Sequence, residues 1–217
     1  MRVACVAVSR ARSHPASHAR YASPGMPDLA LRIATLDDAP AIAGIYAPYV
    51  RDTTISFELD APTADEMRAR IDAVLQRHTW LVACEADVVT GYAYASEHRS
   101  RAAYRWSVDV AVYLAEDARR RGTGARLYRA LFALLEQAGY VNAYAGIALP
   151  NAASVALHEK VGFTPVGIYR GVGFKNGAWH DVGWWERRIG SQAPGPAPPR
   201  EVRDLPPGVI DRVLRGE

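Results

Sequence analysis

The segment 107–125, with the sequence SVDVAVYLAEDARRRGTGA, constrains the fold of this 217-residue chain most strongly. Its β-branched residues and Asp109 predict a strand that ends at Leu114, and an amphipathic helix is predicted over residues 126–139. Between them lie three arginines and a Gly-Thr-Gly turn. Glycines let the backbone approach an anion, and the first amides of a helix lack intrahelical partners and favour negative charge. The segment therefore predicts a site for a phosphorylated cofactor.

The same residues exclude two common nucleotide sites. Leu127 stands where the third glycine of a dinucleotide-binding fingerprint would fall, and no Gly-Lys-Ser/Thr sequence forms a Walker loop. A Gly-x-Gly pair alone is often only a turn, and the alternative for the arginines at 119–121 is a solvated surface run. A strand before the glycines, a helix after them and adjacent arginines together favour a phosphate ligand.

Hydrophobic patterns on both sides of this segment predict a mixed α/β (α+β) architecture. Thr63 and Glu66 form a capping box that predicts the start of a helix. Asn176-Gly177 suits the tight turn of a hairpin, as Ala86-Asp87 does less specifically. Other helices are expected to begin near residues 35 and 151. The predicted strands are 29–34, 79–85, 88–96, 107–114, 141–149, 163–174 and 178–187. About seven strands in a twisted mixed sheet, with helices on both faces, are therefore expected.

The two ends of the chain differ from its centre, and one domain is predicted over residues 28–190. Residues 1–27 contain no acid and no clear periodicity. They are interpreted as a disordered extension, or as the result of a start assigned before Met26. Residues 191–217 begin SQAPGPAPPREVRDLPP and are interpreted as a proline-rich tail, because proline cannot join ladders or helix interiors.

Composition excludes several classes of protein. No apolar run approaches the ~20 residues that cross a bilayer, so we expect a soluble, cytoplasmic protein without membrane contact. The net charge of +3 does not require nucleic acid as a partner. Cys5 and Cys84 have neither disulfide nor metal-site spacing, and no metal is expected; Cys84, inside WLVAC, is interpreted as a core residue.

Several motifs in a fixed order indicate a particular protein family. Arg119-x-x-Gly122-x-Gly124 after a strand, followed by Asn151-x-x-Ser154, resembles the GNAT-type acetyltransferases over nearly all of residues 29–189. The resemblance is closest to the phosphinothricin N-acetyltransferase group and its relatives that act on methionine sulfoximine and methionine sulfone. The further matching segments are Tyr104-x-Trp106, Val112-Tyr113, Ala148-Leu-Pro-Asn151, His158-Glu-Lys-Val-Gly-Phe163 and Gly173-Phe-Lys-x-Gly-x-Trp-His-Asp-Val-Gly183.

The resemblance implies acetyl-CoA as the donor. Main-chain groups of one strand are expected to hold the pantetheine arm, and the glycine turn is expected to wrap the pyrophosphate. Amides around the turn can form an anion nest that arginines reinforce. Asn151 is expected to bond the cofactor, to cap the following helix, or both. The candidate cofactor-binding residues are Val112, Tyr113, Leu114, Arg120, Arg121, Gly122, Thr123, Gly124, Ala125 and Asn151.

The resemblance also implies an acceptor site before and within the strand at 107–114. Asp109 is the candidate base, because an amine must lose a proton before it attacks a thioester. Related enzymes usually carry glutamate there, so the shorter aspartate favours a bridging water or a shifted substrate. An arginine suits the carboxylate of an amino-acid-like acceptor. The candidate acceptor-binding residues are Arg99, Ser100, Arg101, Asp109, Val110 and Ala111.

Each of these residues also has a structural alternative. Asp109 could be a buried hydrogen-bond acceptor, and Arg99 and Arg101 could be solvent-exposed loop residues. Phe57 is either a wall of the acceptor site or, more simply, a core aromatic. His158, which occupies the neighbourhood of a proton-donating tyrosine in many GNAT enzymes, is either a proton donor or a packed helix residue.

The function predicted is direct transfer of an acetyl group from acetyl-CoA to the primary amine of a small amino acid or analogue. The alternative is a CoA-binding regulatory module that keeps the fold with little or no catalysis. Members of the group are commonly homodimers, so a homodimer is expected. The aromatic-rich strand at residues 179–185 suits that contact, although its apolar residues could equally be core.

Overall fold

The structure, a computed structural model, describes residues 29–217, and the extension predicted at 1–27 lies outside them. This part of the chain forms seven strands and five α-helices, some of them preceded by short 3₁₀ turns. The strands are β1 (Leu29–Ile33), β2 (Trp80–Glu85), β3 (Val88–Glu97), β4 (Ser107–Leu114), β5 (Asn142–Leu149), β6 (Thr164–Lys175) and β7 (Ala178–Arg188). The helices are α1 (Ala39–Arg51), α2 (Ala64–Leu75), α3 (Thr123–Ala138), α4 (Ala152–Lys160) and α5 (Pro207–Arg215).

The strands form one sheet in the order β1-β2-β3-β4-β5-β7-β6. Every neighbouring pair is antiparallel except β4 and β5, which are parallel. That parallel pairing extends only from Ser107 opposite Asn142 to Asp109 opposite Tyr144. Beyond Asp109 the two strands no longer pair, so the sheet opens between them.

Helices cover both faces of this sheet, and each face has its own core. On one face α3 buries Leu127 and Leu131 completely, together with the other predicted positions of its apolar stripe. On the opposite face α1 and α2 bury Ile42 and Ile71. Full burial of such a side chain contributes about 1.5–3 kcal/mol. The mixed α/β sheet with helices on both faces, predicted from the sequence, is confirmed.

Local sequence signals explain where several elements begin and end. α2 follows Thr63, as its capping box predicts. The two hairpin turns have positive φ at both central residues, with 47° and 66° at Ala86 and Asp87 and 51° and 78° at Asn176 and Gly177. These values belong to the turn geometry that matches the twist of the flanking strands. Both predicted hairpins are therefore present.

The C-terminal segment differs from the tail that its prolines predict. Val202 and Leu205 are buried in the core beneath α3, and the Arg200 amide donates to the Ala138 carbonyl at 2.9 Å. α5 then packs against α3 and β1. Prolines exclude residues 191–206 from a ladder, but the apolar residues between them cover surface that α3 leaves exposed. The folded unit therefore continues beyond residue 190 and includes α5.

Candidate active site

The opening between β4 and β5 is the central feature of the site. It begins after the last pair, Asp109 and Tyr144, where the two strands separate. The lining residues come from both strands, from α3 and α4, and from the loop after α1. They are Ile55, Val110, Ala111, Val112, Tyr113, Tyr128, Gly146, Ile147, Ala148, Asn151, Ser154 and His158.

The β3–β4 ladder determines which main-chain groups face the gap. The Ala115 amide donates to the Thr90 carbonyl of the β3 side at 2.9 Å. Since main-chain groups alternate in direction along a strand, Tyr113 also faces β3, while Val112 and Leu114 direct their N–H and C=O groups towards the gap. Of the three residues predicted to hold a pantetheine arm by their main chain, Tyr113 therefore contributes its ring and not its backbone groups to this region.

Tyr49 of α1 lies at the C-terminal end of β4. Its hydroxyl donates to the Leu114 carbonyl at 2.7 Å, so this carbonyl already has a partner. The Arg119 guanidinium lies 5.1 Å from the centre of the Tyr49 ring. Arg121 instead bonds Glu85, with Nη1 3.0 Å from Oε2, and an anion at the turn would compete with this carboxylate.

The glycine turn has the geometry of an anion nest. Arg120 and Gly122 have φ values of 62° and 85°, which Gly122 adopts without the steric cost of a Cβ. The first intrahelical bond of α3 runs from the Arg126 amide to the Gly122 carbonyl, so the amides of residues 123–125 precede the helical ladder. A Cβ on Gly124 would lie 3.1 Å from a leucine of α4. Free amides, a left-handed turn and close backbone packing fit the pyrophosphate of a CoA ester.

α4 begins beside this turn, and its residues line the gap. The Asn151 side chain accepts from the Ser154 amide at 3.1 Å, which confirms its capping role. His158 is 4% exposed. Its Nδ1 donates to the Ser154 carbonyl at 2.7 Å, and its Nε2 accepts from the Tyr128 hydroxyl at 2.9 Å. Burial lowers the pKa of His158, so the ring is a neutral, packed helix residue at neutral pH.

Asp109 lies at the closed end of the gap. Val108 and Val110 on either side belong to the core beneath α3, so alternation points Asp109 to the opposite face. One of its oxygens lies 2.6 Å from Nδ1 of His98. Burial raises the pKa of Asp109, and the hydrogen bond from His98 opposes part of that rise. A carboxyl group whose pKa moves towards neutrality is suited to proton transfer.

Aromatic rings surround this pair, and we call His98, Tyr104, Tyr144 and Trp184 the aromatic cluster. The His98 ring stacks on Tyr144 with centroids 4.3 Å apart and 18° between planes. Tyr104 and Trp184 approach it edge-on at 6.1 and 6.5 Å. The Arg99 guanidinium lies 5.9 Å from the Trp184 ring centre and donates to the His98 carbonyl at 2.9 Å. The cluster thus combines a carboxyl–imidazole pair with a cation held over an aromatic face.

The other predicted acceptor residues lie at different places. Ala111 lines the gap on the same side as Asp109, whereas Val110 directs its side chain into the core beneath α3. Arg101 is exposed. Ser100 lines a separate cavity of about 390 Å³ that the C-terminal segment borders. Of the two predicted arginines, Arg99 is the one that contacts the aromatic cluster, through Trp184 and the His98 carbonyl.

Phe57 packs against the final hairpin. Its ring occupies the space that a Cβ on Gly173 would need, and it lies 6.2 Å from the His180 ring. The buried Lys175 holds the loop after α1 in place, because its Nζ donates to the carbonyls of Val50 and Ser56 at 2.6 and 2.7 Å. Phe57 is thus a half-buried residue of the contact with the hairpin and belongs to neither core of the sheet.

Sequence reasoning missed His98. The signal was in the strand register, since Ser96 of β3 stands opposite Asp109 of β4. That register places the residue two positions further along beside the carboxylate. The two predicted strands did not by themselves specify which residues face each other, so the contact was not visible.

Two further classes of site are not found in residues 29–217. None of the helices in this range is long and apolar enough to span a bilayer. The same range contains no cluster of three or more side chains suited to bind a metal ion.

Comparisons with known proteins give a consistent result. Residues 31–184 match the family model described as an acetyltransferase (GNAT) domain. The phosphinothricin N-acetyltransferase of Streptomyces viridochromogenes is 39% identical over 183 residues, which cover 84% of this chain and 98% of that protein. An L-methionine sulfoximine/L-methionine sulfone acetyltransferase of Pseudomonas paraeruginosa is 34% identical over 154 residues, covering 70% and 90%.

The same likeness extends to solved structures. A GNAT superfamily phosphinothricin acetyltransferase from Sinorhizobium meliloti, in complex with acetyl-CoA, superposes with a TM-score of 0.74 at 32% identity. The match covers 81% of this chain and 99% of that one. The family match runs from β1 to β7 and contains the glycine turn, the gap and the aromatic cluster.

Proposed function

Because this chain belongs to the GNAT acetyltransferase family and uses acetyl-CoA, we propose that it acetylates the primary amine of a small amino acid or analogue of the phosphinothricin or methionine sulfoximine type. The observation that carries this proposal is the arrangement around β4. The anion nest lies beyond one end of the β4–β5 gap, and the Asp109–His98 pair, with Arg99 nearby, lies at the closed end.

Acetyl-CoA supplies an acyl group activated as a thioester. For this donor we assign the pyrophosphate to the amides of residues 123–125, with Arg120 as the reinforcing cation. The main chain of Val112 is assigned to the pantetheine arm, because it faces the gap. Asn151, which lines the gap while capping α4, is the further polar contact.

The acceptor is assigned to the aromatic cluster. Arg99 matches an α-carboxylate, and a planar guanidinium binds such a group at two points. The aromatic rings supply apolar walls for a short side chain and limit water around the amine. Since an amine is protonated near neutral pH, Asp109 provides the base, directly or through a neighbouring group.

An acceptor panel tests the reaction. Full-length protein is incubated with acetyl-CoA and phosphinothricin, methionine sulfoximine, methionine sulfone or methionine, and release of free thiol is followed. We expect turnover on at least one of these amines, and much less on 3-(methylthio)propylamine, which matches methionine but lacks its carboxylate. Tight acetyl-CoA binding with no turnover on any amine would instead support the regulatory module.

The final hairpin supports a homodimer. β6 is an edge strand, and the hairpin exposes a row of large apolar side chains. Trp179 is 68% exposed and its ring contacts Phe174. Contiguous apolar surface of this kind marks interaction sites, and we assign it to a second copy of this chain. The exposed row consists of Val166, Ile168, Tyr169, Val172, Phe174 and Trp179.

Light scattering after gel filtration tests the dimer. The wild-type protein is expected at twice the monomer mass, and Trp179→Arg at the monomer mass. Leu59→Arg is the matched control, because Leu59 is 72% exposed but lies outside the row. A monomeric wild-type protein at micromolar concentration would overturn the assignment.

We assign the protein to the cytoplasm, because acetyl-CoA is a cytoplasmic metabolite. Cell fractionation with an antibody against the chain tests this assignment. Recovery in a membrane or periplasmic fraction would contradict it.

A further inference from the structure

A histidine that the motif analysis did not assign stands against the candidate base. His98 follows directly after β3, and the β3–β4 register brings it beside Asp109. Nδ1 of His98 lies 2.6 Å from the Asp109 carboxylate. The His98 side chain is 12% exposed and that of Asp109 is 31% exposed. Both groups are thus largely buried, but a ligand can still reach each of them.

The contact determines which nitrogen of His98 carries the proton. An ionised carboxylate can only accept, so Nδ1 donates to Asp109 and Nε2 carries the lone pair. Within residues 29–217, the Asp109 contact is the only hydrogen bond of the His98 ring. Stacking on Tyr144 and edge contacts with Tyr104 and Trp184 fix the plane of the ring. Nε2 is therefore an oriented acceptor without an intramolecular partner.

The His98 ring lies at the end of the gap to which the acceptor was assigned above. Tyr144 and Asp109 form the last pair before the gap opens, and His98 contacts both. The next residue, Arg99, lies over Trp184 and bonds the main chain of His98. A group that receives a proton and a group that holds a carboxylate are thus adjacent in the chain and in space.

We propose that His98 is a catalytic residue whose Nε2 takes the proton from the acceptor amine, while Asp109 orients the ring and stabilises its charged form. This inference rests on the proposed acetyl transfer. The side chain of Asp109 is short, so a further group must connect it to the acceptor amine. The proposal assigns this role to the His98 imidazole instead of a water molecule.

The proton balance of the step is simple. The acceptor ammonium gives one proton to Nε2 of His98, and the imidazolium keeps its Nδ1 hydrogen bond to Asp109. The neutral amine forms the N–C bond to the acetyl carbon as the C–S bond breaks. A second amine proton reaches the sulfur, and the proton on His98 passes to solvent. The products are the acetamide, the free thiol and one proton.

Among residues 29–217, four other ionisable groups lie around the pair. Tyr94 of β3, Arg99, Tyr104 and Tyr144 of β5 face it, and β7 contributes the uncharged Trp184. Burial raises the pKa of Tyr94 and of Tyr144, which keeps both phenols neutral. We expect a single acid limb in the pH profile of kcat/KM, which reports the His98–Asp109 pair as a unit.

The test compares His98→Gln with the wild-type enzyme and with His78→Gln, a change at a histidine that lines the other cavity and not the gap. For His98→Gln we expect kcat/KM for the amine to fall by about 10²–10⁴, with an unchanged KM for acetyl-CoA. The acid limb should disappear, and added imidazole should restore part of the rate. His78→Gln should keep the limb and the rate.

Two kinetic outcomes would overturn the inference. One is a His98→Gln enzyme that keeps the wild-type acid limb. The other is a rate loss that imidazole does not rescue, which identifies a structural role. Should the variant not fold, the wild-type protein decides the matter through ¹⁵N-histidine spectra. These should show Nδ1 protonated and Nε2 with the lone pair, and the opposite tautomer refutes the inference. If the wild-type protein acetylates no amine, the proposed function fails independently of that tautomer.

Discussion

The two halves of the candidate site around β4 are built by different means. Beyond the C-terminal end of β4, the chain offers main-chain amides and a left-handed turn from one continuous segment at 119–125. At the closed end of the gap, side chains from β4, β5, β7 and the loop after β3 meet around Asp109. A site made by the backbone is encoded locally, whereas a site made by side chains depends on sheet register.

Asp109→Asn addresses the side-chain half and has the largest expected effect. Asparagine keeps the shape of the side chain but removes the negative charge that stabilises a protonated neighbour. We expect kcat to fall by about 10²–10⁴, with the dissociation constant for acetyl-CoA unchanged. Steady-state kinetics and calorimetric titration measure the two quantities. A parallel loss of acetyl-CoA binding would mean that the two halves are not separate.

Gly122→Ala addresses the backbone half. Nothing lies within 4 Å of a Cβ at this position, so the cost arises from the φ of 85° alone. A Cβ in the left-handed region costs about 1–2 kcal/mol, and we expect the KM for acetyl-CoA to rise roughly 5- to 30-fold with kcat little changed.

Gly44→Ala is the matched control for this substitution. It also adds a Cβ into open space, but within α1, where alanine is favoured by up to about 1 kcal/mol. Its KM should equal that of the wild-type enzyme. A similar KM for both variants would exclude the turn as the pyrophosphate site.

Arg99→Ala tests whether Arg99 is the side chain that binds the carboxylate of the acceptor. Loss of a charged hydrogen bond to the acceptor carboxylate should raise the KM for the amino acid about tenfold. The preference for methionine sulfone over its decarboxylated analogue should fall by the same factor. Arg105→Ala, a change at another exposed arginine near this loop, is the control. An unchanged preference in Arg99→Ala would remove Arg99 from the acceptor site, and Arg101→Ala would then test the second predicted arginine.

The smallest expected effect concerns the pH dependence of protein stability, to which His158 of α4 contributes. Burial lowers the pKa of His158 and also that of His78. The unfolded chain, with histidine near ~6.5, binds these protons at higher pH than the folded protein does. The contribution of these histidines to the free energy of unfolding is therefore fully present above that pH. It is lost as the pH falls towards the pKa values of the folded protein. The raised pKa of Asp109 acts in the opposite direction.

Comparison of two proteins isolates the histidine contribution. Denaturant unfolding of wild type and His158→Gln at pH 7 and pH 5 cancels the Asp109 term, which both share. Glutamine cannot be protonated, so the variant should lose less stability on acidification. Equal losses would show that His158 is not held in its neutral form.

The contrast between the two halves also explains what sequence reasoning could reach. The apolar spacing of α3, the turn at Asn176-Gly177 and the glycine nest follow from neighbouring residues, and each was predicted. The His98–Asp109 contact depends on how β3 and β4 align. The Tyr49 hydroxyl bond to Leu114 joins residues 65 positions apart. Such contacts require the tertiary structure.

The C-terminal segment shows the same limit at a larger scale. Its prolines correctly exclude a ladder, but they say nothing about where Val202 and Leu205 dock. Their burial depends on an uncovered strip of α3 that no local pattern reveals. Truncation after residue 190 would therefore expose core and not merely shorten a tail.

The divergence of β4 and β5 gives the sheet an edge in its interior. Only three residue pairs join the four strands β1–β4 to the three strands β5–β7. Amide hydrogens along that inner edge, such as the one of Val112, lack a ladder and should exchange with solvent as quickly as those of an outer strand. A donor bound to the Val112 main chain, as we propose, would stand in for the missing ladder and slow this exchange. Occupancy of the site can thus be read from deuterium uptake at a strand that an intact sheet would have protected.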